Sequence, residues 1–403
     1  MKRVKAGALS FVVGISIVLS LLISGFILIK IYSDRESKLA RIRQDLLINL
    51  NSGFELVKAK PEVIQNKINE LDLFGRGKDS IIIKSSPWGF TNVVQITAKR
   101  GKFFEQKEAF INKVNQFDES TMFLADHGEP LTLLGRSKID GIIQVPGGRV
   151  STSSIGDLYF TGTLPKESQT FRSNPTLPQI DQSLLENLTK FDSETVPIKE
   201  IQKNNEFSFK NNSALKLHSI DPIILTQNFK GKIIIESESE IEVLLTSKLE
   251  DVILIAPKIV LQDFVSGSFQ AIARDTILVG RGVKLNYPSA LAVIGNNKGY
   301  IDVKSGYLEG SLFMHNFKDG DLNLMRIQNT DIYGSIYTNG YLDFQGSLYG
   351  CVTSNKFVFS RFGEIRENTI YNAEINSLTQ NSYYKNFDFF SNDSPASVIK
   401  WLK

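Results

Sequence analysis

One cysteine, three histidines and two tryptophans in 403 residues leave little material for metal or thiol chemistry. Cys351 has no second cysteine to pair with, so an internal disulfide framework and a cysteine-based metal site are both excluded. His127, His218 and His315 stand far apart, and no histidine cluster is written into the chain. With 29 Gly and 12 Pro, collagen-like or linker-dominated sequence is excluded as well. No Walker loop, dinucleotide fingerprint or G-x-S-x-G elbow occurs. Charge of one sign is also missing, since 46 Lys and Arg face 43 Asp and Glu. Lys2, Arg3, Lys5 and Lys30 account for the small excess, and the remainder is nearly neutral. Such a remainder lacks the basic stripe that replaces phosphate counterions, so nucleic acid is not expected as a partner. These patterns assign no catalytic, cofactor-binding or metal-binding residue, and no cofactor.

What is present starts with an uncharged apolar run from Ala6 to Ile29. As a helix it measures about 36 Å, enough to cross a hydrocarbon core of about 30 Å. A cleaved signal would carry a shorter apolar region of roughly 7–15 residues. Its best cleavage candidate, Ser24-Gly25-Phe26, is followed by more apolar residues. The run therefore reads as an uncleaved single-pass anchor in the cytoplasmic (inner) membrane, contacting lipid through residues 6–29. Lys2, Arg3 and Lys5 favour an inside N-terminus, with the main domain extracytoplasmic. Ser16, Ser20 and Ser24 form a small-residue stripe compatible with self-association.

Beyond the anchor (1–31) the chain divides by texture. Residues 32–75 read as a helical stalk, in which Leu39, Ile42, Leu46, Leu50 and Phe54 recur at helical spacing. Pro61 and Glu62 open a second, shorter helix through about Leu71. Residues 76–163 are β-rich, with alternating strands at Ser80–Lys84, Asn92–Lys99 and Lys102–Phe110; the part from residue 121 supplies early coils. The Pro- and Asn-rich segment 164–205 reads as a linker or insertion with a helical stretch over Gln182–Phe191. Residues 376–403 read as an aromatic cap with a short helical end at Ser394–Lys403, its rings being Tyr383, Tyr384, Phe387, Phe389 and Phe390.

Residues 206–375 carry the strongest signal. Gly310-Ser311-Leu312-Phe313, Gly334-Ser335-Ile336-Tyr337 and Gly346-Ser347-Leu348-Tyr349 repeat at offsets of 24 and 12. Gly299-Tyr300-Ile301-Asp302 and Gly340-Tyr341-Leu342-Asp343 form a related pair, and the run from Asp251 matches the run from Asp275 at an offset of 24. Short strands turned by Gly, Asn or Asp, with a period of about two dozen residues, specify stacked coils. The expected fold is mainly β: a transmembrane helix and helical stalk followed by a parallel β-helix with an inserted segment. Equivalent corners are expected at Gly310, Gly334 and Gly346, with Leu312, Ile336 and Leu348 pointing inward.

The stretch Lys2–Ile29, with Gly7-Ala8-Leu9 and a long apolar helix running into an amphipathic one, resembles the N-terminus of PilX-type minor pilins and pseudopilins. That resemblance implies processing after Gly7; the acidic residue common near the start of mature major pilins is absent. The Gly-Ser-[Leu/Ile]-[Phe/Tyr] units resemble bactofilin-like, polymer-forming β-helical repeats.

Because parallel β-helices host polysaccharide lyases and hydrolases, acids on the coils are candidates for a carboxylate pair: Asp302, Glu309, Asp319, Asp321, Asp331 and Asp343. Asp126-His127-Gly128 reads as a turn rather than a catalytic pair. Cys351 reads as a small apolar residue. The expectation is a non-enzymatic, membrane-anchored envelope protein, a structural component of a pilus-like or secretion-like assembly with protein partners there. A membrane-tethered polysaccharide lyase or hydrolase is the alternative, and a cytoplasmic bactofilin-like polymer the second.

Overall fold

The computed structural model describes residues 6–60, 68–75, 77–114, 120–188, 193–197, 204–211, 213–361, 363–376, 384–385, 387–390 and 395–402. Two compact units emerge, one made of Met1–Leu56, Lys67–Lys84 and Gln95–Lys107, the other of Val57–Asn66, Ser85–Val94 and Glu108–Lys403.

A single α-helix runs unbroken over Ala6–Ala59, and all but its last three residues belong to the first unit. Its N-terminal part exposes its apolar side chains, Phe11, Leu21 and Phe26 among them. Its C-terminal part is amphipathic, and Leu46, Leu50 and Phe54 are buried, as are Ile81, Ile83, Ile96 and Ala98 of the strands in this unit. Gly53 makes the close approach: a Cβ there would lie 3.1 Å from Ile96 and 3.3 Å from Ile81. Arg100 ties helix to sheet by pairing with Asp45 at 2.9 Å and with Asp79. The second expected helix is corrected. Residues 61–67 lie outside the described residues, but Ile68–Leu71 is a strand paired antiparallel with Ser80–Trp88.

The second unit is a stack of β-coils, a β-solenoid of about ten turns. Three parallel ladders run its length, and inward-facing residues such as Ile235, Leu254, Leu291, Leu312 and Ile336 fill the core between them. Coil length varies, because corners accept insertions that strands cannot. Ile259 pairs with Ile277, an offset of 18, whereas Gly310 pairs with Gly334, an offset of 24.

Two repeat expectations are therefore corrected. The run from Asp251 does not stack on the run from Asp275: Val252 pairs with Phe269 and Ile253 with Gln270. Gly346 is not the counterpart of Gly334 either. A Cβ on Gly350 would meet the Gly334 carbonyl oxygen and one on Gly346 that of Thr330, so Gly350 continues the column of Gly310 and Gly334. Leu312, Ile336 and Leu348 all point inward and are buried, as expected, with Leu312 paired to Ile336.

The stacking order departs from the sequence order. Met122–Leu124 pairs with Val352–Ser354, Leu131–Leu134 with Thr369–Tyr371, and Lys138–Asp140 with Glu374–Asn376, all in parallel. Residues 121–172, early in sequence, thus form the coils that follow residue 376 in space. Residues 164–205 also join the ladders. Thr170–Arg172 pairs with Ile143–Val145 at one end, and Ser193–Pro197 with Ala214–Ser219 at the other. Between them the chain returns along the flank, carrying a short helix at Gln182–Asn187.

The tail is a strand, not a helix. Ala396–Leu402 pairs antiparallel with residues 108–113 of the strand Phe103–Lys113. Phe389 packs on Phe313 at 5.2 Å and on Phe90 at 6.0 Å between ring centres, so these aromatics cover the flank rather than an open end. Tyr383 lies outside the described residues. The flank needs covering because its outward positions are apolar: Ile272, Ala292, Phe313 and Tyr337 follow one another up one ladder.

Candidate functional site

Residues Tyr300–Val303 pair with Leu324–Ile327, which places Asp302 beside Arg326 on successive coils. Asp343 continues the column: Arg326 Nε donates to its Oδ2 at 3.4 Å, and Arg361 Nη1 and Nη2 donate to its two oxygens at 3.2 Å. Burial raises the pKa of Asp343, and the two guanidiniums oppose that rise without cancelling it. Beside this ladder, Lys356 Nζ lies 3.4 Å from Asp321 and 5.1 Å from the centre of the Tyr341 ring. The Tyr341 hydroxyl donates to Glu367 at 3.2 Å.

Three of the candidate carboxylates, Asp302, Asp321 and Asp343, thus lie close to basic side chains of neighbouring coils. A glycosidase sets its two carboxyl groups on either side of the scissile bond. Here Arg326 stands on the coil between Asp302 and Asp343 and donates to Asp343. The arrangement neutralises charge along stacked coils, which is what a packed solenoid surface requires.

Glu309 lies on another face and is held more tightly. It accepts from the Tyr307 hydroxyl at 2.7 Å, the Tyr287 amide at 3.0 Å, and the Tyr384 hydroxyl. Burial alone would raise its pKa, but these three donors outweigh burial and hold it below the usual carboxylate range. The cluster fastens the tail to the coils, since the Tyr287 hydroxyl also donates to the Lys385 carbonyl at 3.2 Å.

A pH dependence follows from the signs. The stability carried by Glu309 is complete above its ordinary value of 4.5 and is lost as pH falls through its lowered native value. Asp343, raised in the native state, contributes oppositely: its share is complete below the ordinary value of 3.8 and is lost as pH rises through the raised value. Glu309→Gln should flatten the acid limb of the thermal-stability profile of the full chain. An unchanged limb would mean that the three hydrogen bonds do not depend on the charge of Glu309.

The remaining sequence candidates are dispersed. Asp319 accepts from the Asp321 amide at 3.0 Å, capping the turn Gly320–Leu322, and Asp331 pairs in register with Tyr307. Asp126 accepts from the amides of Gly128 and Gly147, which together with Arg172 keep its pKa low, while His127 Nε2 meets Asn355 Oδ1 at 2.8 Å. Neighbours in sequence, the two residues serve different partners. His218 lies 3.4 Å from Glu238. His315 sits among Phe313, Phe317 and Tyr337, where burial lowers its pKa. Cys351 donates to Ser335 Oγ at 3.3 Å and is half-buried. Among the described residues, no group of three His, Cys, Asp or Glu side chains is placed to hold a metal ion.

Sequence reasoning missed Arg326, Arg361 and Lys356, the cations of the charged face. The signal was available for Arg326, which follows Asp302 by the same 24 residues that separate Gly310 from Gly334. It was not available for Lys400, which donates to both oxygens of the buried Asp251 at 2.8 and 2.7 Å. No family model, curated protein or solved structure matches this chain.

Proposed function

We propose that the protein is a non-enzymatic, membrane-anchored envelope protein whose β-solenoid serves as a scaffold in a pilus-like or secretion-like assembly. One observation carries the reading. Within a single continuous helix, one part presents apolar side chains that nothing covers, and the next buries Leu46, Leu50 and Phe54. Such a division suits a segment that leaves lipid and enters a folded domain. The pairing of Asp343 and Asp321 with basic side chains, and of Glu309 with tyrosine donors, supports a structural use of the coils. The resemblance of the first helix to PilX-type pilins agrees with a helix that continues from an anchor onto an antiparallel sheet.

The test is fractionation. The full chain should remain in the membrane pellet after carbonate extraction, and external protease should digest residues beyond 32 in spheroplasts. A soluble product beginning near residue 26 would identify a cleaved signal instead. Protection from protease in intact spheroplasts, lost on lysis, would place the solenoid in the cytoplasm and favour the polymer-forming alternative.

A further inference from the structure

We propose that the first unit makes a second lipid contact, docking one end of its sheet on anionic headgroups of the bilayer that holds the anchor. The inference rests on the membrane reading above. Strand and helix run side by side in this unit: a Cβ on Gly53 would lie 3.1 Å from Ile96, and Arg100 pairs with Asp45 at 2.9 Å. The strand Thr91–Arg100 therefore runs back toward the apolar part of the helix. The turn that follows it, Gly101-Lys102, is the tip nearest the anchor.

That end is cationic and carries an exposed ring. Side chains alternate along a strand, and Ile96 and Glu105 face the helix, Glu105 through its pair with Arg43 at 2.9 Å. Lys99 and Phe104 are thereby turned to the opposite face, where Phe104 is 65% exposed. Lys78, beside Asp79, and Lys102 at the tip are exposed as well. Over residues 67–84 and 95–107 of this unit, eight Lys and Arg stand against four Asp and Glu. Of the acids at this end, Asp79 is paired with Arg100 and Glu105 with Arg43. Such a surface attracts anionic lipid within a Debye length, about 8–10 Å.

The reach is sufficient. The apolar run of about 36 Å exceeds a hydrocarbon core of about 30 Å, so the helix tilts in the direction that its interfacial anchors set. Two strand residues past Arg100 cover about 7 Å, which places the tip on the order of 18 Å of helix beyond Ile29. A lean of about 30° toward the sheet brings the tip to about 10 Å from the hydrocarbon edge, beside the headgroups.

The experiment uses the full chain with Cys351→Ser and Gly101→Cys, labelled with a fluorophore at residue 101, where a Cβ meets nothing within 4 Å. It is reconstituted into vesicles of phosphatidylcholine, alone or with roughly one-third phosphatidylglycerol. Quenching by neutral acrylamide should be about twofold weaker in the anionic vesicles, and high salt should remove the difference. Lys99→Glu combined with Lys102→Glu should remove it too, at low salt. Equal quenching in the two vesicle types, with the chain still resisting carbonate extraction, would overturn this inference and leave the membrane reading standing. Protection that survives both high salt and the double variant would overturn it as well. A chain released by carbonate would remove the membrane reading and this inference together.

Discussion

Ile336→Asp is expected to remove the cooperative unfolding transition of the solenoid, or to lower its midpoint by far more than a surface change would. Ile336 is 1% exposed and pairs with Leu312 in the inward column. An aspartate there loses the aliphatic packing and must hold a carboxyl group where no donor faces it. The packing loss alone is about 2–5 kcal/mol, and the buried polar group adds to it. Against an ordinary stability of about 5–15 kcal/mol, that is decisive. Because each coil touches chiefly its neighbours, the damage should begin locally and spread. Ile336→Val, which removes one methylene, should cost about 1 kcal/mol. Urea titration of both variants in the full chain checks the assignment. An unchanged midpoint for Ile336→Asp would show that residue 336 does not face the core.

Gly334→Val should be comparably severe, for a different reason. Its backbone has φ +153°, and a Cβ at this position would lie 1.7 Å from the Gly310 carbonyl oxygen. That oxygen belongs to the neighbouring coil, so relief requires prying two rungs apart rather than turning a side chain. Gly101 supplies the comparison. Its φ is +56°, but a Cβ would meet nothing within 4 Å, so only backbone strain of about 1 kcal/mol is expected for Gly101→Ala. Thermal unfolding should therefore separate the two glycines clearly. Equal, small effects would mean that the coils are not stacked as closely as the Gly310–Gly334 pairing requires.

Both variants probe features that were legible to different degrees. The inward position of Ile336 could be read from the Gly-Ser-[Leu/Ile] repeat, because a coil strand alternates faces with a period of two. Its neighbour across the coils could be read only where the period stays at 24. At Gly346 the coil shortens, and Gly350 takes the place above Gly334. A repeat motif records the local turn, whereas the stacking partner depends on the length of everything between two turns.

The same distinction separates what the chain states locally from what it acquires on folding. Periodicity alone determined the apolar helix, the stripe through Leu46, Leu50 and Phe54, the strands around Gly101, and the β-solenoid class. Each of these depends on side chains a few residues apart. Only the tertiary structure decided that residues 121–172 stack beyond residue 376, because a free strand edge can accept any segment that reaches it in register. It also made Ala396–Leu402 a strand. That short segment has too few residues to hold a helix by itself, and pairing with residues 108–113 supplies its backbone hydrogen bonds. The pairing of the half-buried Lys400 with the buried Asp251 belongs with these late decisions. Its partners lie 149 residues apart, and no local pattern carries an interaction over that separation.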